Sequence, residues 1–297
     1  MNNAIETHDL AYRAGKHFEI AGLGLTVREG SMYGFLGPNG SGKTTTIRLL
    51  LGMLRPRRGT ISMLGRSVPR DMPEILGETG YVPERPHLYP YLTVSEATRL
   101  HAAFYRSFDA AYAADLQRRF GLRADHRISH LSKGEVGKLH VLLALAQRPR
   151  LLILDEPTDG LDPVVRRDVL AALVDFCSQG TTTVFISSHL VHELERICDW
   201  IGILDEGNLV AELPMAEFKN GIKRLRVVRA PAVVTGAPFV VLSREPSDGE
   251  QTWVVRGWEP RMAEWLSTAN AELREVVDLD LEEGFVELLR VSRVPAA

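Results

Sequence analysis

The sequence predicts an α/β protein with a largely parallel sheet at its centre, followed by a small α+β unit. A short apolar strand, Met32–Leu36, runs directly into a glycine-rich segment and then a helical segment. A second apolar run, Leu151–Leu154, ends in two acidic residues, and such uninterrupted runs are typical of strands buried on both faces. Strand-like and helix-like segments alternate to about residue 220, which indicates crossover connections between parallel strands.

The predicted elements follow one another along the first 220 residues. Their assignment rests on alternation for strands, on helical periodicity, and on Gly and Pro at the breaks. They are strands over Ala4–Arg13 and from Phe18 to Val27, a helix over Thr44–Met53, helical residues 94–120 with a break near Ser107–Asp109, a helix after Ser132, a helix over Val164–Cys177, a strand over Thr181–Ile186 and a helix over Val191–Cys198.

Composition shifts at Asn220 and Gly221, where we place a domain boundary. Residues 1–220 form the predicted first domain, with a helical subdomain at about residues 85–147, and residues 221–297 form an accessory α+β domain. The accessory domain shows no recognisable catalytic motif. Its predicted elements are strands over Leu225–Arg229, Phe239–Leu242 and Thr252–Arg256, the loop Pro246–Gly249, and helices near residues 260–268 and 281–290.

Composition restricts the possible partners. With 45% hydrophobic and 25% charged residues and a net charge of -3, the 297-residue chain lacks the basic balance typical of nucleic-acid binding, so no nucleic-acid partner is expected. The polar opening residues do not resemble a signal peptide. Apolar runs fall far short of the roughly 20 residues that a spanning helix needs, so a membrane role would require a partner chain.

The glycine-rich segment fits the phosphate-binding pattern GxxxxGK[ST], and it lies between a strand and a helix as that motif requires. Glycines allow successive backbone N–H groups to point at phosphate oxygens, and the helix N-terminus adds positive potential. Lys43 can reach the β- and γ-phosphates of ATP, and the Thr44 hydroxyl can bind Mg²⁺. The alternative is a glycine-rich turn with an exposed lysine, which the flanking elements disfavour. The expected cofactor-binding residues are Gly37, Pro38, Asn39, Gly40, Ser41, Gly42, Lys43, Thr44 and Thr45.

Two acids and a histidine end other predicted strands. Asp155 and Glu156 follow the buried strand at the edge where ligands bind in open α/β sheets. Asp155 is suited to holding Mg²⁺, and Glu156 to polarising the attacking water. His189 ends the next apolar strand. Alone, the acids could form a solvated turn, and the histidine could be a structural hydrogen-bonding residue.

These motifs, in this order, resemble those of ATP-binding-cassette ATPases over residues 4–220. Leu131–Glu135 (Leu-Ser-Lys-Gly-Glu) is similar to the family signature LSGGQ, and Asp159–Asp162 is similar to its D-loop. The resemblance implies a P-loop NTPase core with a mixed sheet and a helical subdomain. It also implies a head-to-tail dimer, in which ATP lies between the phosphate loop of one protomer and Ser132, Gly134 and Asp162 of the other. His189 would then hold the γ-phosphate beside Glu156.

The partners implied by this resemblance are a separate integral-membrane permease and a second ATP-binding subunit, in a homodimer of identical subunits or in a heterodimer. The protein would therefore be peripheral, on the cytoplasmic face of the membrane, and would hydrolyse ATP to drive transport. Cassette proteins that act on ribosomes carry two fused cassettes with a basic linker, and repair-type members carry long heptad arms. This chain shows neither feature. A nonhydrolytic regulatory cassette is disfavoured because Lys43, Asp155, Glu156 and His189 are all present.

Departures from the family pattern refine the expectation. Glu84 replaces the usual glutamine and remains a possible Mg²⁺ ligand. Glu84, Lys133 and the ending over residues 277–289 resemble the ABC-2 exporter class. Ala14 stands where an aromatic residue stacks on adenine, so Tyr12, on the same side of an extended strand, becomes the expected base contact. Phe18 is the second candidate. Glu135 would place an acid near bound phosphate unless its side chain faces away.

Overall fold

The computed structural model describes residues 2–15, 18–178, 180, 182–231, 234, 236–247 and 249–293. The predicted strand start at Thr181, Asp248 in the predicted loop Pro246–Gly249, and residues 294–297 of the predicted accessory domain lie outside these ranges. The strands are β1 (Asn3–Ala14), β2 (Phe18–Arg28), β3 (Met32–Leu36), β4 (Arg58–Met63), β5 (Arg66–Val68), β6 (Thr79–Val82), β7 (Leu151–Asp155), β8 (Thr183–Ser188), β9 (Trp200–Asp205), β10 (Asn208–Pro214), β11 (Ile222–Val228), β12 (Val240–Ser247), β13 (Glu250–Arg256) and β14 (Glu272–Asp278).

The helices alternate with these strands. They are α1 (Lys43–Leu50), α2 (Met72–Gly77), α3 (Val94–Ala102), α4 (Ala110–Arg119), α5 (Lys133–Ala146), α6 (Pro163–Ser178), α7 (Val191–Leu194), α8 (Met215–Gly221), α9 (Ala263–Thr268) and α10 (Leu281–Ser292), with 3₁₀ turns at Ile128–His130 and Pro260–Met262. Within the described residues, no helix is both long and apolar enough to span a bilayer.

The central sheet confirms the predicted α/β architecture. Its strand order is β10-β9-β3-β8-β7-β6, parallel throughout except for β10. Every residue of β3, β7 and β8 is buried, as expected for interior parallel strands. Because parallel strands share one carboxyl edge, the segments after β3, β7 and β8 converge there. These segments are the glycine-rich loop, the paired acids and His189.

An antiparallel sheet, β2-β1-β4-β5, covers α1 and one face of the central sheet. Their shared core includes Phe35 of β3, Ile47 of α1 and Phe185 of β8. Apolar side chains of β1 and β2 close this core from outside, among them Leu10, Ile20 and Leu25. The layer therefore fixes α1, and with it the glycine-rich loop, from behind.

Along the chain, the helices α3, α4 and α5 follow β6 and precede β7. They pack on the other face of the central sheet. The predicted interruption near Ser107–Asp109 is confirmed, since α3 ends at Ala102 and the Asp109 carboxylate caps α4 by accepting from the Tyr112 N–H. Thr93 and Glu96 form a capping box at the start of α3. The predicted helix at Val191–Cys198 is shorter, ending at Leu194.

The last sheet is antiparallel, with the order β12-β13-β11-β14. It has its own aromatic core around Trp253, Trp258 and Phe239, yet α10 packs against the central domain. Phe285 and Leu288 of α10 join the cluster that contains Phe218. Arg293, just after α10, forms a two-pronged ion pair with buried Asp205 at 2.8 and 2.9 Å. The apolar core is thus continuous across residues 220 and 221. The domain boundary placed there stays a prediction.

Candidate functional site

A cavity of about 630 Å³ opens at the carboxyl edge of the central sheet. This size is ordinary for a small-molecule site. Its lining includes residues of the phosphate loop, the second acid, His189 and Glu84. Its lining residues are Ala14, Phe18, Asn39, Gly40, Gly42, Lys43, Thr44, Thr45, Glu84, Glu156, Asp159 and His189.

The glycine-rich loop has a conformation that requires glycine. Gly40 and Gly42 adopt φ values of 83° and 113°, which side-chain-bearing residues rarely adopt. A Cβ on Gly37 would lie near the Leu204 carbonyl oxygen of β9, so the loop lies directly against that strand. Behind the loop, the Gly207 N–H donates to the Ser41 carbonyl at 2.8 Å. The N-cap residue of α1 is Gly42, which has no side chain to accept from the helix N–H groups, so this N-terminus is suited to an anion.

Lys43 is buried and faces into the site. Its ammonium group donates to the Gly37 carbonyl at 2.7 Å and the Pro38 carbonyl at 3.3 Å. It also forms an ion pair with Glu156 Oε1 at 3.1 Å. With only 6% of this side chain exposed, the lysine provides a fixed positive charge at the base of the loop. An entering polyphosphate would compete with Glu156 for that charge.

Glu156 lies between a cation and a histidine. Its Oε2 is 2.9 Å from His189 Nδ1 and accepts from the His189 backbone N–H at 3.3 Å. Its backbone has the unusual φ of 47°, and its own N–H donates to Ser187 Oγ at 3.0 Å. Such strained positions are common at functional sites. The side chain that the sequence assigns to water activation is therefore oriented by its contacts with Lys43 and His189.

Asp155 lies deeper, at the end of β7. Its Oδ1 accepts from the Thr44 hydroxyl at 3.1 Å and from the Ser187 hydroxyl at 2.8 Å. Burial raises the pKa of Asp155, and the negative charges of Glu156 and Glu84 raise it further, while the two hydroxyl donors oppose the shift. The arrangement is an oxygen-rich, electronegative pocket. Thr44, Asp155 and Glu84 therefore fit a hard divalent cation such as Mg²⁺, which prefers oxygen ligands.

The residues that line the cavity correct the expectation that Tyr12 contacts the base. Ala14 and Phe18, which are paired across β1 and β2, line the cavity, whereas Tyr12 is not part of its lining. Tyr12 is half-buried and packs on the core between the outer and central sheets. Residues 12 to 14 pair regularly with β2, but Tyr12 lies opposite Ile20, whereas Ala14 lies opposite Phe18. The aromatic ring at the cavity is Phe18.

Ser132, Gly134 and Asp162, the residues predicted to act on a second protomer's site, are not among those that line this cavity. The Ser132 backbone N–H and hydroxyl both donate to Glu135 Oε2, each at 2.8 Å, and Ser132 Oγ accepts from the Glu135 N–H. This capping box lowers the pKa of Glu135 and folds its carboxylate back on the helix N-terminus. Asp162 caps α6 by accepting from the Val164 and Val165 N–H groups.

Three residues of the site fall outside the sequence prediction of its ligands. Ser187 joins the two acids, because its hydroxyl donates to Asp155 and accepts from the Glu156 N–H. Asp159 lines the cavity, although only Asp162 of that loop was predicted to contact a nucleotide. Phe18 stood second to Tyr12. Ser187 could have been predicted from its position, because it lies near the end of the strand that precedes His189.

Comparison with known proteins identifies relatives over most of the chain. A model of the family described as "ABC transporter" matches residues 20–159. The bacitracin transport ATP-binding protein BcrA of Bacillus licheniformis is 35% identical over 222 residues, covering 74% of this chain and 72% of that protein. The ABC transporter ATP-binding protein YtrB of Bacillus subtilis (strain 168) is 33% identical, with coverage of 73% and 74%. A Nod factor export ATP-binding protein I of Cupriavidus metallidurans is 36% identical, with coverage of 67% of each chain.

Solved structures show the same similarity. One described as an ATP-binding subunit of an ABC transporter is 32% identical, has a TM-score of 0.65, and covers 73% of this chain and 92% of its own. The ATP-binding cassette MJ0796, solved as a dimer bound to ADP and Pi, is 22% identical with a TM-score of 0.63. The match covers 71% of this chain and 98% of MJ0796. At 22% identity it shows similarity of the fold alone.

Proposed function

This chain belongs to the ATP-binding subunits of ABC transporters, a family of ATPases, and from that membership we propose that it drives a separate membrane permease as a nucleotide-sandwich dimer. The observation that carries the proposal is the convergence of Lys43, Thr44, Glu84, Glu156 and His189 on one cavity. A lysine at a glycine-rich loop, oxygen ligands for a cation, and a carboxylate oriented by a histidine are the groups that phosphoryl transfer to water requires.

Each group has a proposed role on ATP. The loop from Gly37 to Thr45 would bind the phosphates through its amides, and Lys43 would leave Glu156 to bind the β- and γ-phosphates. Glu156, freed from the lysine but still oriented by His189, would polarise the attacking water. Thr44, Asp155 and Glu84 would hold Mg²⁺, which when bound would neutralise phosphate charge. These assignments rest on the distances of the cavity and on the motif positions.

The second half of the nucleotide site is proposed to come from an identical subunit. Ser132 and Gly134 lie at the N-terminus of the 14-residue helix α5, where the helix dipole favours an anion. Asp162 lies at the start of α6 and would reach the dimer seam. Gly134 is fixed relative to α6, since a Cβ there would be 3.1 Å from Val165. The two trans elements would therefore approach the opposing nucleotide as one unit.

An exposed apolar groove is connected to the nucleotide cavity by a short segment of chain. Phe104, Tyr91, Tyr89 and Leu100 are 75%, 66%, 57% and 41% exposed, and the Tyr89 and Tyr91 rings lie 5.6 Å apart. Tyr89, Leu100 and Phe104 border a groove of about 180 Å³ that also includes His87, three residues after Glu84. Clustered exposed aromatics mark interaction surfaces. We assign this groove to the permease, because the short segment from Glu84 to Tyr91 links it to the nucleotide cavity.

Replacing Phe104 with glutamate tests the transporter function. We expect Phe104→Glu to abolish co-purification with the proposed polytopic permease, because a charge in the groove opposes burial of its apolar wall. ATP binding should stay near wild type, since the cavity is separate. Val240→Glu is the matched control, because Val240 is 50% exposed in the last sheet. Retained co-purification of the Phe104 variant, or its loss in both variants, would contradict the groove assignment.

Phe18 is proposed to supply the base contact in place of Tyr12. We expect Phe18→Ala to weaken ATP and GTP binding alike, because stacking on a purine contributes about 1 kcal/mol, or roughly fivefold in affinity, without reading base identity. Tyr12→Ala is the matched control and should bind as wild type does. Nucleotide titrations with both variants check this. A loss in Tyr12→Ala with none in Phe18→Ala would restore the original assignment, and a hundredfold preference for ATP would show that another group reads adenine.

Export is the proposed direction of transport. The similar proteins named for bacitracin transport and for Nod factor export are themselves ATP-binding proteins of such systems. Glu84, Lys133 and the ending over residues 277–289 add the resemblance to ABC-2 exporter subunits. In this proposal the subunit is peripheral, on the cytoplasmic face of the membrane, with nucleotide chemistry in residues 1–220.

A further inference from the structure

A buried carboxylate, Glu193, links the two loops that flank the hydrolytic site. Glu193 lies in α7, four residues after His189, and is 4% exposed. Its Oε2 accepts from the Thr158 hydroxyl at 2.5 Å. Its Oε1 is 2.8 Å from Arg166 Nε in an ion pair. A charged side chain this deeply buried is rare unless it is paired, so these two contacts determine where the α7 segment lies.

The two partners of Glu193 stand on either side of the loop Asp159–Asp162. Thr158 directly precedes this loop, and Arg166 follows it in the first turn of α6. Arg166 also donates from its guanidinium to the Leu161 carbonyl at 3.4 Å, and the Leu161 N–H donates to the Thr158 carbonyl at 3.2 Å. One carboxylate therefore holds both ends of the loop that contains Asp159, at the cavity, and Asp162, at the proposed dimer seam.

The same loop packs on the helix that begins at Ser132. A Cβ on Gly137 of α5 would be 3.7 Å from Leu161, and one on Gly134 would be 3.1 Å from Val165 of α6. On the other side, His189 contacts Glu156 at 2.9 Å, and α7 starts two residues later. A continuous set of contacts thus joins the catalytic carboxylate to the trans-acting surface, and Glu193 lies at its midpoint.

We propose that Glu193 is a positioning residue for ATP hydrolysis, which sets the loop Asp159–Asp162 relative to His189 and Glu156. The inference rests on the proposed catalytic role of Glu156 and the proposed trans role of Asp162. The phosphate loop and Lys43 are held by other contacts, to Leu204, Gly207, Gly37 and Pro38. Loss of the Glu193 charge therefore displaces the hydrolytic geometry without removing the phosphate seat.

The test is Glu193→Gln in the full chain, with steady-state ATP hydrolysis and a direct nucleotide-binding titration. Glutamine preserves the shape and still accepts from Thr158, but it loses the attraction for Arg166. We expect kcat to fall about tenfold or more, with KM and nucleotide affinity within about twofold of wild type, because small displacements of reacting groups have large effects on rate. Arg166→Gln should lower kcat by a similar factor, and the double variant should have a kcat no lower than that of either single variant.

Two further variants separate positioning from simple destabilisation. Glu287→Gln is the matched control, since Glu287 is also buried between an arginine and a hydroxyl, with Arg290 at 3.2 Å and Ser243 at 3.1 Å, but it lies in α10. It should leave kcat unchanged. Thr158→Val should reproduce the loss of kcat, and Thr158→Ser, which retains the hydroxyl, should restore it.

The outcomes distinguish this inference from the function on which it rests. Wild-type chain that neither binds nor hydrolyses ATP would overturn the proposed function. Wild-type hydrolysis together with a Glu193→Gln kcat within twofold of it would overturn the positioning role alone. Equal losses in Glu193→Gln and Glu287→Gln would also overturn it, because both would then reflect a general effect of losing a buried carboxylate.

Discussion

Glu156→Gln is expected to bind ATP but to lose nearly all turnover, with a fall in kcat of about 100-fold or more. Glutamine keeps the shape of the side chain but cannot accept a proton from water, and general-base catalysis contributes an effect of that order. The structure adds a second consequence. Glu156 Oε1 forms an ion pair with Lys43 at 3.1 Å, so the neutral amide frees the lysine for phosphate. ATP affinity should therefore rise rather than fall.

The measurement pairs steady-state hydrolysis with ATP-dependent dimer formation, followed by light scattering. ATP should trap the Glu156→Gln variant as a closed dimer, because the sandwich forms and is not opened by hydrolysis. Lys43→Ala serves as the comparison, since it should lose ATP binding and dimer formation together. Near-normal hydrolysis by purified Glu156→Gln would remove Glu156 from the role of base.

Ser132 is expected to act on the nucleotide held by the other protomer. In a mixed dimer, one subunit carries Lys43→Ala and its partner carries Ser132→Arg. If Ser132 acts in trans, both lesions fall in one composite site and the other site is intact, so roughly half of the wild-type activity should remain. The reciprocal arrangement places both substitutions in one subunit beside a wild-type partner. There each composite site contains one lesion, and activity should be nearly abolished.

The contrast between these two mixed dimers is decisive because they have the same composition. If Ser132 acted on its own subunit's nucleotide, the pattern would be reversed, and the dimer with both substitutions in one subunit would be the active one. Ser132 also has a local requirement. Its hydroxyl donates to Glu135 Oε2 at 2.8 Å, so binding phosphate requires that hydroxyl to turn away from the carboxylate.

The local motifs allowed much of this site to be predicted from sequence. The run from β3 through the glycine-rich loop to α1 is set by neighbouring residues, and the structure confirms its strand and helix. The Glu135 side chain was also open to prediction, because Ser132-Lys133-Gly134-Glu135 fits the capping-box pattern S-x-x-E. Its orientation depends on four successive residues at the start of one helix rather than on distant contacts.

Features that depend on pairing between distant segments were harder to predict. Tyr12 was assigned by alternation along one strand, but only the pairing of β1 with β2 shows that Phe18, opposite Ala14, lies at the cavity. Ser187 reaches the acids because β8 lies beside β7, a neighbour relation that the order along the chain does not specify. The link from Glu193 to Thr158 and Arg166 likewise joins residues 35 and 27 positions apart.

The ion pair between Arg293 and Asp205 has a consequence for how the protein is made. Asp205 ends β9, and the turn after it supports the phosphate loop through the Gly207 N–H bond to the Ser41 carbonyl. Its arginine partner is 88 residues further along the chain. During synthesis, the phosphate loop emerges from the ribosome long before this arginine does. The nascent subunit thus lacks part of the scaffold behind its nucleotide site until residue 293 has left the ribosome. Ribosome-bound chains that end before residue 293 should therefore bind ATP more weakly than the released chain that contains it.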